Sequence, residues 1–151
     1  MSLSALTQIN SDKVALESDD TGSLLDVSAL TDLSVDSGSV GHWLLQAAYG
    51  GTVDLSNGLT SLAGVDLSTD GNMSLSQLTS YTGGNLTVNG GTYTLGALTD
   101  LDNSNVAVEN GASLSLPALA GYTAGAWNHK SGKSGKSGDT ILVVDVLGMF
   151  C

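Results

Sequence analysis

The sequence predicts an all-β fold: a right-handed parallel β-solenoid of about six coils, each of roughly 20 residues. Three observations predict it. Gly51, Gly71, Gly91 and Gly111 stand 20 residues apart. After each of them the chain alternates apolar and small polar residues, as in "GTYTL", the period of a strand with one buried face. The composition breaks helices: 20 Gly, abundant Ser, Thr, Asn and Asp, and only 13% charged residues, so Glu, Lys, Arg and Gln are scarce.

Taken in order, the units repeat one template. The first carries Leu3, Leu6, Ile9, Val14 and Leu16, and the second runs from Gly22 through Leu25, Val27, Leu30 and Leu33. The third has Val53, Leu55, Leu59, Leu62, Val65 and Leu67, with one inserted residue at Asn57-Gly58. The fourth has Met73, Leu75, Leu78, Tyr81, Leu86 and Val88; the fifth has Tyr93, Leu95, Leu98, Leu101, Val106 and Val108. After Gly111 the pattern slips by one, to Leu114, Leu116, Leu119 and Tyr122. Each unit has an alternating stretch, an arc that is apolar at every third position ("ALTDL", "QLTSY"), and a second alternating stretch closed by Asn, Gly or Asp. The recurring glycine is expected at a corner, where a Cβ would resist the backbone angle. One such unit cannot bury its apolar side alone, so the units must stack and share a core. A leucine-rich-repeat-like solenoid is the alternative. Two alternating stretches per unit and no helical periodicity favour strands on every side.

The segments "GASLSLPALAGYT" and "GGTYTLGALTDLDNSNVAVENGA" resemble the Gly/Ser/Thr/Leu-rich repeats of large secreted or surface proteins of bacteria, over about residues 2–123. The resemblance implies a β-solenoid stalk, an extracellular or cell-surface location and a structural or adhesive role. It carries no catalytic motif.

Residues 1–127 are expected to form the solenoid, with an insertion near 39–50, because Gly22 and Gly51 are 29 residues apart. The extra material, "SVGHWLLQAAYGG", contains His42, Trp43 and Tyr49, and "HWLLQAAY" has helix propensity. It is expected as a bulge or short helix covering the core; the alternative is a loop that stacks a sugar on Trp43 and Tyr49 beside Asp54. "ESDDT" places Glu17, Asp19 and Asp20 together as a solvated acidic loop, without the tandem repeat of a calcium roll.

Beyond Trp127 the texture changes. Residues 128–139 form a Lys-Ser-Gly linker, and 140–151 are either an apolar strand that covers the last coil or a peptide appended to an engineered solenoid carrier. A phosphate loop needs glycine where Trp127 and Lys130 stand, so nucleotide binding is not expected. The chain carries 15 acidic residues against 4 Lys and a net charge of −11, which disfavours nucleic acid and anionic membranes as partners. No membrane insertion is expected. "MSLSALT" does not read as a signal peptide.

His42, His129 and the single Cys151 have no metal-ligand spacing, so no metal or cofactor is expected. Asp100 with Asp102, and Asp54 with Asp26, are the carboxylate pairs nearest to a glycosidase arrangement, and no catalytic residue is assigned. The Thr92/Thr94 pair matches Thr52/Asp54 and Asn72/Ser74 in neighbouring units, which breaks an ice-binding threonine ladder. The expected partners are other copies, through the solenoid ends or the C-terminal strand, and glycans.

Overall fold

The computed structural model describes residues 1–11, 13–34, 43–56, 58–70, 72–123 and 140–141. His42, Gly71, the linker at 128–139 and the tail beyond 141 lie outside the described residues.

All described regular structure is β. The chain opens with β1 (Gln8–Asn10) and β2 (Ala15–Asp19). Then come β3 (Leu24–Asp26), β4 (Asp32–Ser34) and β5 (Trp43–Ala48). The next circuit adds β6 (Thr52–Asp54), β7 (Ser61–Ala63) and β8 (Val65–Thr69). It is followed by β9 (Ser80–Thr82) and β10 (Asn85–Asn89), then β11 (Thr92–Thr94) and β12 (Asn105–Glu109). β13 (Ser113–Ser115) and β14 (Thr140–Ile141) complete the set.

The strands wind around three sides of a prism. The long side stacks β2, β5, β8, β10 and β12, all parallel. A second side pairs β3 with β6, which the Val53–Met73 bridge extends by one position, and β11 with β13. The third pairs β1 with β4 and β7 with β9, and continues through the Ser80–Asp100 bridge. Strands on every side, and no helix among the described residues, exclude the leucine-rich-repeat alternative.

The circuit count corrects the expected six. The register runs Leu16–Leu45–Leu67–Leu86–Val106, with steps of 29, 22, 19 and 20 residues. That makes four complete circuits. The first and last units are partial: residues 1–10 stack beneath β3 and β4, and the long side ends not in a sixth parallel strand but in β14, antiparallel on β12.

The same register builds the core. Period-2 alternation turns Leu16, Leu45, Leu67, Leu86 and Val106 inward, one above the other, and all are buried. The apolar-every-third arc is a tight turn. The amides of Leu30, Leu78, Leu98 and Leu119 each donate to the carbonyl three residues back, on Val27, Leu75, Leu95 and Leu116. Both ends of each turn are buried, so the turns contribute two more apolar columns.

Two sequence expectations shift here. Within "HWLLQAAY", Trp43–Ala48 is not helical but a central strand, with β2 on one side and β8 on the other. Leu45 and Ala47 point inward, and pairing along both edges overrides a weak local preference. "ESDDT" is a loop only at Asp20–Thr21; Glu17 and Asp19 lie on β2 and face outward while Leu16 and Ser18 face in.

At the corner after the long side, two successive residues take left-handed angles: Tyr49-Gly50, Gly90-Gly91 and Asn110-Gly111. The Gly51 amide returns to the Ala48 carbonyl and that of Ala112 to Glu109, the pattern of a type I′ turn. So Gly91 and Gly111 are corner residues, but in the third unit that role falls to Gly50. Gly51 is needed for a different reason: a Cβ there would sit 2.1 Å from the Ser18 carbonyl oxygen.

Gly84 shows the same tight stacking. A Cβ would fall 2.1 Å from the Val65 carbonyl and 2.5 Å from the Tyr81 hydroxyl, whereas Gly96 has open space. Gly84→Ala is expected to cost about 2–3 kcal/mol, and Gly96→Ala less than about 1 kcal/mol in either direction. Parallel thermal melts of the two variants check this.

Candidate functional site

Trp43 begins β5, and Tyr49 lies just past its other end. Six residues of extended chain separate their backbones by roughly 20 Å. Tyr49 projects from the corner, 78% exposed at φ +52°. Asp54 ends β6 on the adjacent side. The structure does not gather Trp43 and Tyr49 at one end of the strand.

Asp54 already has a structural task. Its Oδ1 accepts the Ser56 amide at 2.9 Å, closing the turn that follows β6. Its register partner Asp26 does the same with Ser28, accepting both the amide (3.2 Å) and the hydroxyl (2.7 Å), and also takes the Ser2 hydroxyl at 2.9 Å. The Ser28 hydroxyl, the Ser28 amide and the Ser2 hydroxyl together hold the Asp26 carboxyl below its ordinary value of 3.8.

Several other outward polar groups are tied in the same manner. Asp66 accepts the Asn85 amide and side chain, and Asn105 donates to the Asn85 side chain. Asp70 accepts the Gly50 amide, and Asp32 accepts Gln8. Asp100, weighed above with Asp102 as a glycosidase pair, accepts the Asp102 amide and the Ser80 hydroxyl, and Asp102 accepts the amide of Thr123. These carboxylates clamp one circuit to the next or close turns. Among the described residues no group of three acidic, His or Cys side chains is arranged to hold a metal ion.

The structure also displays two sets of hydrogen bonds that the repeat template did not state, one made by threonines and one by tyrosines that the template had placed only as apolar positions. Thr31, Thr79 and Thr99 each donate their hydroxyl to the carbonyl of the threonine one circuit below, on Thr7, Thr60 and Thr79. The available signal was the dipeptide Leu-Thr that closes every arc but the last, where Ala120 follows Leu119. The second set is the inward tyrosines. Tyr81 donates to the buried Val65 carbonyl and Tyr122 to that of Ser104. Burial raises both phenols, with the nearby Asp66 charge adding to the effect at Tyr81. The Tyr93 hydroxyl accepts the Met73 amide at 3.1 Å and lies 2.5 Å from the Thr69 hydroxyl.

An open cavity of about 460 Å³ lies at the N-terminal end of the prism, lined by Met1, Ala15–Asp19 and Gly22–Leu25. No described helix is long and apolar enough to cross a membrane. The chain matches no protein-family model, no curated protein and no solved structure.

Tyr93→Phe leaves the buried Met73 amide without its acceptor and is expected to cost about 1–3 kcal/mol, read as a lowered denaturation midpoint. Asp26→Asn is expected to destabilise the fold at neutral pH. A carboxyl held below its unfolded value stabilises the fold above that value, and the contribution is lost as pH falls through the folded value. The difference between wild type and Asp26→Asn should therefore close below pH 3.8 in denaturant titrations across pH.

Proposed function

We propose that this chain is a non-catalytic structural segment, a rigid spacer of a secreted or surface protein that also associates with copies of itself through its ends. One observation carries the reading: the outward carboxylates of Asp54, Asp66, Asp70 and Asp100, the Asn85 amide and the hydroxyls of Thr31 and Thr79 are engaged in turn-closing and circuit-to-circuit hydrogen bonds. The interior, meanwhile, is filled by stacked apolar side chains. A surface committed to holding its own backbone suits a spacer better than a reaction centre. The acidic net charge of −11 supports a highly soluble surface with no affinity for polyanions.

A glycan-binding role is the second reading, favoured by the exposed Tyr49 ring. The engineered-carrier reading is weakened by β14, which adds the start of the C-terminal segment to the long sheet. A glycan array separates the first two. The spacer reading predicts no binding above background and no difference for Trp43→Ala or Tyr49→Ala. Saturable binding that either substitution abolishes would overturn it.

A further inference from the structure

Asparagine followed, after one residue other than proline, by Ser or Thr is the acceptor signal for N-linked sugar, and it marks a surface position in an exported chain. The chain has two such triplets, Asn72-Met73-Ser74 and Asn85-Leu86-Thr87. The fold treats them differently.

Asn85 begins β10, and its carboxamide is held from both sides. Its nitrogen donates to Asp66 at 2.7 Å, and its oxygen accepts from Asn105 at 2.9 Å. Transfer of a sugar to that nitrogen has to pull the carboxamide away from two partners. Thr87 stands in the middle of the same strand, paired to β8 below and β12 above.

Asn72 precedes the single bridge between Val53 and Met73. Met73 turns inward and is buried, so alternation puts Asn72 and Ser74 together on the outer side, where both are exposed. The backbone alone holds the triplet. The Asn72 carbonyl accepts the Val53 amide at 3.0 Å, the Met73 amide donates to the Tyr93 hydroxyl at 3.1 Å, and the Ser74 amide donates to the Val53 carbonyl at 3.4 Å. Neither the Asn72 carboxamide nor the Ser74 hydroxyl has a hydrogen-bond partner among the described residues. That sets Asn72 apart from Asn85, Asn105 and Asn110, whose side chains reach the neighbouring circuit. The short side chains of Thr52 and Asp54 flank the triplet in the circuit below.

We propose that Asn72 is an acceptor for N-linked glycosylation, and that the folded chain presents it while withholding Asn85. The donor is an oligosaccharide joined through pyrophosphate to a lipid. The Asn72 carboxamide nitrogen attacks C1 of the first sugar. The N–C1 bond forms, the C1–O bond breaks with its electron pair leaving on the lipid pyrophosphate, and one amide proton passes to a base of the transferase. The Ser74 hydroxyl is the second group that the transferase grips, and it lies on the same face as the acceptor. The proposal rests on the secreted or surface reading, since transferases of this kind meet exported chains.

The test is a reconstituted reaction: the folded full chain, a purified single-subunit oligosaccharyltransferase and a lipid-pyrophosphate-linked oligosaccharide, read by glycopeptide mass spectrometry. Wild type is expected to carry sugar on Asn72 and none on Asn85. Asn72→Gln and Ser74→Ala should each abolish the modification, and Ser74→Thr should retain it. Far-UV circular dichroism confirms that every variant is folded. A folded chain that takes up no sugar overturns the proposal, as does sugar on Asn85 or modification that survives Ser74→Ala. The reaction does not depend on where the chain resides in a cell, so its failure counts against Asn72 alone. Fractionation of producing cells judges the secreted or surface reading separately.

Discussion

The backbone of each circuit is hydrogen-bonded to the circuits above and below it, and that ladder sets where every other group sits. Successive strands on the long side are in register, so an inward residue stands over an inward residue from Leu16 to Val106. Register in a sheet is unforgiving, since a slip of one residue would turn the whole apolar set to solvent. A single circuit has little interior of its own; its leucines are buried by the leucines of its neighbours. The corners must then bring the chain back at the right height, which is why backbone carbonyls crowd Gly51 and Gly84 so closely.

Polar groups follow the same vertical order. A carboxylate or threonine in a lone strand would face water. Stacked, Thr79 reaches the carbonyl below it and Asp70 reaches the Gly50 amide. The tyrosines solve the opposite problem. Their rings fill the interior, and their hydroxyls satisfy backbone groups at the inner corners that water does not reach.

Much of the fold was legible in the sequence because period-2 alternation and a 20-residue recurrence are consequences of this stacking. Leu75, Leu95 and Leu116 announced a column by spacing alone, and all three are buried at the same place in successive turns. What was misread has physical causes. Leu, Gln and Ala in "HWLLQAAY" favour helix in isolation, but a strand flanked on both edges gains more from pairing. β2 hid its alternation because one of its two inward residues is Ser18. Recurring landmarks count units, whereas circuits are counted by what closes, so the partial first and last units inflated the number. The tasks of Asp26, Asp54 and the threonines depend on what lies one circuit away, and the linear sequence does not state that.

Methyl nuclear Overhauser spectroscopy reads the stacking directly. The account predicts cross-peaks between Leu67 and Leu86 and between Leu86 and Val106, pairs about one circuit apart in sequence and adjacent in the sheet. Cross-peaks confined to residues within a few positions of each other along the chain would contradict it.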